Sequence, residues 1–496
     1  MREVYCIQLQ SAIVPLRSVT KAAIALSTET CKLWGRSITR WYCQINPMIK
    51  IFRLTAALSV TLLALVAGCS PQSNSSQSSV KEAKSATKPG NPVEVAKKPD
   101  GPLTVPPDNP DPATQQKIEQ YFNGIAAKGF SKKSQGIWIQ AGNTLLANYQ
   151  GTVPLPAASL TKVATSLAAL QTFGPDHQFI TQIGATGPIE NGVLKGDLMI
   201  QGGEDSLFVW EEAIAIGNLL NQMGIKQVTG NLVITGKFYM NFEFDPLKSG
   251  NLLKQGLNAQ IWPAAAQTQY QTLPPGTPQP QVAIAGSVQV KPSPPGNVKP
   301  LLRHNSFPLA ELLKKMNQYS NNKMAEMLAN AAGGPQLVSF KAAQAAGVPQ
   351  TEVILVNGSG LSPLNRISPR AVCAMFLAIE RYLQPHNMTV GDLFAIVGQD
   401  EGILAERKLP PLTVVKSGSL DTVSALAGAL PTQQQGTVWF ATMNGGNNLE
   451  GFRTQQEVLL KGFLNQWGAV QSLPAELTPN PARNSKTSRS EIVNRS

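Results

Sequence analysis

The sequence predicts an α+β fold, in which helices and an antiparallel sheet are separated along the chain by one inserted domain. Three observations support this fold class. Apolar residues recur at helical spacing in the first folded segment, from about Ala113, and again over 309–332. Between them, residues 186–300 alternate short apolar runs with turns rich in glycine and proline, which predicts an inserted β-rich domain. Three closely spaced strand patterns near the C-terminal end then indicate an antiparallel meander.

Helices are predicted where apolar residues recur three and four positions apart, and strands where short β-branched or aromatic runs end at turn residues. The N-terminal helix and hairpin are expected to join the C-terminal strands in one sheet. The first part of the folded chain is predicted to hold a helix from Ala113, strands at Gly136–Gln140 and Leu145–Tyr149, and a helix at 158–172. The middle part is predicted to hold strands at Phe179–Ile183, Leu194–Ile200 and Asn231–Ile234. The last part is predicted to hold a helical pattern at Leu309–Ala332, a helix at Pro369–Leu383, strands at Leu412–Lys416, Val423–Leu430 and Thr437–Met443, and a helix at Thr454–Trp467.

Composition limits the classes of partner. The chain has 496 residues, of which 42% are hydrophobic and 15% are charged, so it can build a sizeable core. Its formal charge of +12 is concentrated before the folded part, in residues 1–69 and in the lysine-bearing segment 81–98. No basic stripe with interleaved aromatic residues is present in the sequence, so we do not expect nucleic-acid binding.

Residues 48–69 have the pattern of a signal segment. Lys50 and Arg53 precede the apolar run Leu54–Val66, which is too short to cross a bilayer comfortably. The run ends in Val-Ala-Gly-Cys at Cys69, which resembles the lipobox of bacterial lipoproteins; the alternative is an ordinary signal peptide with an unrelated cysteine. We predict lipidation of Cys69 and a membrane-anchored lipoprotein of the cell envelope, on its periplasmic or extracytoplasmic side.

The remaining boundaries follow from composition. Residues 1–47 form an N-terminal extension with no assigned role, and 70–112 are rich in Ser, Lys, Pro and Asn, as in a disordered linker. Residues 113–185 and 301–470 are predicted to form one domain around the insertion, and 471–496 a disordered tail. Past Cys69 the one remaining cysteine is Cys373, so neither a disulfide framework nor a zinc site is expected.

The first chemical element is Ser159-Leu160-Thr161-Lys162. Residues three apart share a helix face, so the lysine amine can take the serine proton if burial lowers its pKa. Ser-x-x-Lys occurs five times in the chain, and this copy differs by opening an amphipathic helix. We therefore predict that Ser159 is a nucleophile and Lys162 its base.

Two further elements are predicted to complete the site. In Ser320-Asn321-Asn322, Ser320 can relay a proton and Asn322 can donate to a substrate carbonyl. In Lys416-Ser417-Gly418, at the end of a strand, the lysine and the hydroxyl can hold a carboxylate, and the glycine lets a peptide approach. A second Lys-Ser-Gly at 248–250 lacks a β-branched run and is predicted to be a surface turn.

These elements, in this order, resemble the active-site set of serine β-lactamases and penicillin-binding proteins. The long separation between Lys162 and Ser320 narrows the resemblance to the D-alanyl-D-alanine carboxypeptidase/endopeptidase family of the penicillin-binding protein 4 (peptidase S13) type. The stretches that resemble this family, over roughly 113–468, are Gly196–Leu198 with Gly202-Gly203, Ser320–Asn322 with Ala325-Glu326, Gly358–Ser362, and Lys416–Leu420 with Val423–Gly428.

The resemblance implies a penicillin-binding transpeptidase-like fold, peptidoglycan peptides as substrates and β-lactams as covalent inhibitors, with no cofactor or metal. It implies an oxyanion hole from the N–H groups of Ser159 and Ser419. There are departures from the family: Ser417 replaces threonine, Asn357 replaces aspartate, and Glu204 and Ser206 replace glycine and proline. The insertion is also shorter than in larger members.

Two alternatives stay open from the sequence. A serine β-lactamase would carry the same elements but would deacylate quickly, and a non-catalytic peptidoglycan-binding lipoprotein would keep the fold with a decayed site. The histidines His177, His304 and His386 fit neither a metal-ligand spacing nor a Ser-His-Asp enzyme. Glu326 lies four residues after Asn322 and is interpreted as a support for its own helix.

Overall fold

The computed structural model describes residues 103 and 105–493. The predicted N-terminal extension, the signal segment with Cys69 and most of the predicted linker lie outside the described residues. Within the described part, no helix has the length and apolar character needed to cross a bilayer.

An antiparallel six-stranded sheet forms the centre of the catalytic domain. Its order is β15-β16-β17-β18-β1-β2, so the N-terminal hairpin pairs with the C-terminal meander as predicted. The strands of this sheet are β1 (Gln135–Ala141), β2 (Thr144–Tyr149), β15 (Ala395–Ile396), β16 (Val414–Leu420), β17 (Val423–Thr432) and β18 (Gly436–Gly445), and a small second sheet holds β3 (Leu155–Pro156), β13 (Val353–Ile354) and β14 (Arg366–Ile367).

Helices cover both faces of this sheet, because neighbouring residues on a strand point to opposite sides. In β1, Trp138 packs into one core and Ile137 and Ile139 into the other, so the strand is buried throughout. The helices of this domain are α1 (Pro112–Ala127), α2 (Thr161–Phe173), α6 (Leu309–Gln318), α7 (Asn322–Ala331), α8 (Pro335–Ala346), α9 (Pro369–Leu383) and α10 (Leu449–Trp467), of which α1 and α10 lie on one face and the others on the opposite one.

Local signals explain where these helices begin. Asp111 accepts the N–H of Thr114 at 2.8 Å, and Pro112 occupies the first turn of α1. Ser368 caps α9 in the same way through the N–H of Ala371, so α9 has the predicted bounds. The helical pattern predicted over Leu309–Ala332 corresponds to two helices, because the chain turns at Ser320.

The inserted domain has its own core around a second six-stranded sheet, of order β11-β9-β7-β4-β12-β19. Strands β7, β9 and β11 are parallel to one another, and parallel neighbours require crossover connections. The domain is thus rich in strands, as predicted, and also carries helices, and its sheet includes β4, β19 and most of β12 from outside 186–300. Its elements are β4 (Ile180–Ala185), β5 (Ile189–Glu190), β6 (Val193–Leu194), β7 (Leu198–Gly203), α3 (Trp210–Gln222), β8 (Gln227–Val228), β9 (Leu232–Lys237), α4 (Pro246–Gly256), α5 (Ala264–Tyr270), β10 (Ala283–Ile284), β11 (Val288–Val290), β12 (Lys299–Asn305) and β19 (Arg489–Ile492).

The second Lys-Ser-Gly copy lies in this domain and is not the surface turn that we predicted. Asp245 caps α4 by accepting the N–H of Lys248, and Pro246 fits its first turn. Residues 248–250 are therefore helical, with Ser249 and Gly250 buried.

The two ends of the described chain are more ordered than predicted. Leu103 and Val105, within the predicted linker, pack against the catalytic core. In the predicted disordered tail, Leu477 is buried in the catalytic core and β19 pairs antiparallel with β12 of the inserted domain. Burial of these apolar side chains and the backbone pairing of β19 compensate for the loss of chain entropy on ordering. The polar composition of both segments hid these few apolar contacts, so the sequence predicted disorder.

Candidate active site

Ser159 lies in a single 3-10 turn, Ala158–Leu160, that leads directly into α2. Ala158 immediately before it has a φ of 48°, in the left-handed region that non-glycine residues rarely adopt. Strained backbone of this kind persists where the surrounding structure holds it, often at active sites. The strand residue Gly418 supports it closely: a Cβ at Gly418 would lie 3.0 Å from the backbone nitrogen of Ser159.

Lys162 points at the Ser159 hydroxyl from the first turn of α2. Its Nζ lies 3.0 Å from Ser159 Oγ, 2.7 Å from Asn322 Oδ1 and 2.7 Å from the carbonyl oxygen of Ser359. The last two atoms can only accept, so they take two N–H groups of the amine. A neutral amine then has its lone pair left for the Ser159 proton, and a protonated amine has a third N–H for the same oxygen.

Burial sets the protonation of this amine. The Lys162 side chain is fully buried, and loss of hydration lowers its pKa from 10.5 to about 7. The negative charge of Glu326 acts in the opposite direction and keeps the pKa from falling further. A base with a pKa near neutrality can both take and return a proton at physiological pH.

The second element stands at the break between α6 and α7. Ser320 has a φ of 51°, and the side chain of Asn321 caps α7 by accepting the N–H of Met324 at 3.0 Å. Asn322 therefore starts α7 with its amide oxygen on Lys162. The Ser-Asn-Asn motif thus forms the start of α7 and places the side chains of Ser320 and Asn322 in the site.

The third element is the outer part of β16. Lys416 is buried, and its Nζ donates to Ser320 Oγ at 3.0 Å and to the carbonyl oxygen of Ser417 at 2.7 Å. Burial lowers the pKa of Lys416 well below its usual value, and the positive charge of Lys162 adds to this effect. The hydroxyl of Ser417 is largely buried, whereas Ser419 is exposed. The structure thus brings together all the residues of the three predicted elements.

A loop not assigned a role from the sequence completes the site. The Glu326 carboxylate accepts the N–H groups of Gly358 and Ser359, each at 3.0 Å, so it holds the loop whose carbonyl contacts Lys162. Its contact is therefore with this loop, and not only with its own helix as interpreted from the sequence. The Gly358–Ser362 stretch was visible in the sequence, but nothing in it indicated a partner on α7.

Two of the residues that depart from the family pattern make local contacts. The amide oxygen of Asn357 accepts the N–H of Gly360 at 2.9 Å and the side chain of Asn365 at 2.6 Å, so an uncharged acceptor serves in place of aspartate. Glu204 has a φ of 71°, which favours glycine, and its carboxylate forms an ion pair with Lys237.

The comparisons with known proteins agree with this geometry. The sequence model of the D-Ala-D-Ala carboxypeptidase 3 (S13) family matches residues 118–272 and 249–461, which is more than half of the chain. The chain belongs to the S13 family. It is therefore a hydrolase of the D-Ala-D-Ala carboxypeptidase type, as the sequence predicted.

Relatives of this S13 enzyme include D-alanyl-D-alanine carboxypeptidase DacB of Haemophilus influenzae, 23% identical over 61% of this chain and 83% of that protein. The predatory endopeptidase Bd3459 of Bdellovibrio bacteriovorus is similar in structure, with a TM-score of 0.59 and 20% identity over 72% of this chain and 99% of that one. Its penicillin G-acylated form has a TM-score of 0.57 and 20% identity over 71% of this chain and 99% of that one. The predicted penicillin-binding fold is confirmed.

The inserted domain of the S13 enzyme borders the site. A cavity of about 460 Å³ lies between Leu207 and Phe242 of that domain and Tyr319, Asn321 and Met324 of the catalytic domain. It adjoins the Ser320–Asn322 segment. Among the described residues no group of three or more His, Cys, Asp or Glu side chains is placed to hold a metal ion.

Proposed function

We propose that Ser159 attacks the carbonyl carbon of the penultimate D-alanine of a peptidoglycan peptide and forms an acyl-enzyme. The Ser159 proton passes to Lys162 as the new C–O bond forms. The N–H groups of Ser159 and Ser419 stabilise the oxyanion, and Asn322 orients the peptide. The observation that carries this proposal is the set of short contacts that Lys162 makes with Ser159, Asn322 and the Ser359 carbonyl.

The leaving amine receives a proton through Ser320 when the C–N bond breaks, and Lys162 gives up the proton that it took from Ser159, so its amine is neutral again. The contact between Lys416 and Ser320 supports this role, because an amine that donates to Ser320 Oγ leaves the serine O–H free to point at the departing nitrogen. The C-terminal end of the substrate is flanked by Lys416, Ser417 and Gly418. Water then attacks the acyl carbon and passes a proton to Lys162; the bond from this carbon to Ser159 Oγ breaks, the shortened peptide leaves, and Lys162 returns the proton to Ser159 Oγ.

The cellular setting belongs to the same proposal. Family members act on the cell wall outside the cytoplasm, and the signal pattern at 48–69 favours a lipid anchor on Cys69. β-Lactams are expected to acylate Ser159, by analogy with the penicillin G-acylated structural relative.

Replacement of the nucleophile tests the proposal. In Ser159→Ala, labelling by fluorescent penicillin and release of D-alanine from a pentapeptide should both fall by roughly 10⁴-fold or more, since the acyl-enzyme cannot form. Ser85→Ala removes the serine of another Ser-x-x-Lys copy and should label like the wild type. Labelling that persists in Ser159→Ala would contradict the proposal. A penicilloyl adduct that turns over within seconds would favour a β-lactamase instead.

A further inference from the structure

A buried asparagine that the mechanism above does not use lies between the elements that carry the catalytic groups. Asn317, in the last turn of α6, is 3% exposed, and its Nδ2 donates to Ser166 Oγ at 3.0 Å and to the carbonyl oxygen of Leu393 at 3.1 Å. Ser166 in turn donates from Oγ to the carbonyl oxygen of Lys162 at 2.8 Å. One side chain therefore joins α6 to the helix of the base and to the loop before β15.

These contacts fix the orientation of the amide. The Leu393 carbonyl can only accept and the Ser166 hydroxyl proton is directed at Lys162, so both partners require the NH₂ group of Asn317. The amide oxygen of Asn317 is buried and has no hydrogen-bond partner among the described residues. A buried acceptor without a partner costs free energy, which an apolar side chain at this position would avoid. The asparagine is therefore better suited to holding its neighbours in position than to stabilising the fold.

The backbone of Asn317 holds the next active-site residue. Its carbonyl oxygen accepts the N–H of Ser320 at 3.3 Å, and the carbonyl oxygen of Met316 accepts the N–H of Asn321 at 2.9 Å. These bonds close the left-handed turn in which Ser320 has a φ of 51°. Because this turn is the end of α6, the place of Ser320 relative to Lys162 depends on how α6 is anchored to α2.

A second anchor holds the loop before β15 independently of Asn317. Lys314, one turn earlier on α6, donates from Nζ to the carbonyl oxygen of Gly391 at 2.9 Å and to Asp400 Oδ2 at 2.6 Å. Loss of the Asn317 amide therefore leaves this loop attached to α6. In the part of the chain that the structure describes, the bond to Ser166 is the one side-chain hydrogen bond between α6 and α2.

We propose that Asn317 is a positioning residue that sets where Ser320 lies relative to Lys162, and so controls the proton transfer to the leaving amine. This role rests on the proposed function above, in which that proton passes through Ser320. The electron pair of the C–N bond goes to nitrogen, and the amine cannot leave as an anion, so breakage of this bond needs the proton. A thiolate, in contrast, leaves without one. Loss of Asn317 should therefore affect a peptide much more than a thioester of the same acyl group.

A pair of substrates tests this role. Both carry the same acyl group ending in D-alanine, joined in one to D-alanine through an amide and in the other to D-thiolactate through a thioester. In Asn317→Leu, kcat/KM for the peptide should fall by roughly 10- to 100-fold, as expected for a misplaced proton donor, while the thioester is cleaved within about threefold of wild type. Ser166→Ala removes the same anchor from the other side and should show the same preference. In the double variant the losses should not add, because both changes break one bond.

Two variants serve as controls, and circular dichroism melting shows that each protein is folded. Ser320→Ala removes the relay itself and should show the largest preference for the thioester. Asn330→Leu changes an exposed asparagine on α7 and should leave both substrates unaffected. Equal losses on peptide and thioester in Asn317→Leu would show a merely structural role and overturn the assignment, as would no loss on either. If Asn317→Leu does not fold, the same outcomes in Ser166→Ala decide.

The same measurements separate this role from the function on which it rests. A thioester preference in Ser320→Ala, without one in Asn317→Leu or Ser166→Ala, would keep the relay and overturn the role of Asn317 alone. If Ser320→Ala cleaves both substrates like the wild type, the relay of the proposed function fails, and the role of Asn317 fails with it.

Discussion

At the scale of single residues, the site depends on the buried amine of Lys162, whose protonated form is destabilised by the loss of hydration. Burial of Lys162 lowers its pKa to about 7, and the contacts with Ser159 Oγ, Asn322 Oδ1 and the Ser359 carbonyl accept either protonation state. The neutral form is needed for proton abstraction, and it becomes the major form as pH rises through this value.

The pH dependence of acylation follows from that pKa. The second-order rate constant for acylation of Ser159 by penicillin should rise about tenfold per pH unit below neutrality and level off above about pH 7. Stopped-flow measurements between pH 5.5 and 8.5 check this, with circular dichroism at each pH to confirm that the protein stays folded. A flat profile over this range would exclude Lys162 as the titrating base.

Glu326 affects the same amine in two ways. Its carboxylate holds the Gly358 and Ser359 N–H groups, and its charge raises the pKa of Lys162. In Glu326→Gln the midpoint of the acylation profile should therefore move to lower pH. The plateau should also fall by about 10- to 100-fold, because the amide NH₂ cannot accept one of the two bonds and the loop carbonyl shifts.

Two variants separate these effects. Glu326→Asp keeps the charge on a shorter side chain, so its midpoint should move less than that of Glu326→Gln. Glu119→Gln removes an exposed carboxylate on α1 and should behave as wild type. A reduced plateau with an unmoved midpoint in Glu326→Gln would show that Glu326 acts through loop position alone.

At the scale of elements, periodicity predicted those parts of the fold in which local signals and packing agree. α9 begins at a serine cap and a proline and carries an apolar face, so its bounds follow from the sequence. The strands β16, β17 and β18 were predicted within a few residues for the same reason. Five strands of the central sheet could thus be predicted from their own residues, and the two-residue edge strand β15 was not predicted.

The parts that were missed depend on contacts distant along the chain. The left-handed turn at Ser320 is stabilised by Lys416, which lies 96 residues away, and no helical pattern reports it. Glu326 meets Gly358 and Ser359, which lie 32 and 33 residues further along the chain. The helices of the inserted domain were missed because glycine- and proline-rich turns on either side dominated the local pattern.

At the scale of the whole described chain, the C-terminal segment joins the catalytic domain to the inserted domain. Leu477 is buried in the catalytic core, Arg483 pairs with Glu311 on α6, and β19 adds an edge strand to the inserted sheet. α6 ends just before Ser320, so this segment braces both the insertion and the helix that leads into the second active-site element.

Arg483 makes largely buried polar contacts from this segment to the catalytic domain, and their loss should be measurable. Its largely buried guanidinium donates to Glu311 Oε1 at 2.6 Å and Oε2 at 2.7 Å, and to Asp176 at 2.8 Å. Arg483→Met keeps the apolar stem but leaves the mostly buried Glu311 carboxylate without its partner. The free energy of unfolding should fall by about 2 kcal/mol, because a buried charge that loses its partner keeps its desolvation cost.

Urea denaturation followed by tryptophan fluorescence measures this difference, and an exposed arginine provides the matched comparison. Arg303→Gln breaks the pair with Glu491, also at the C-terminal segment but open to solvent, and should destabilise the protein less than Arg483→Met does. Penicillin labelling of Arg483→Met should persist at low temperature, since no group of the site is removed. If the two variants unfold at the same urea concentration, burial does not strengthen the Arg483 contact, and the segment is held by β19 and Leu477 instead.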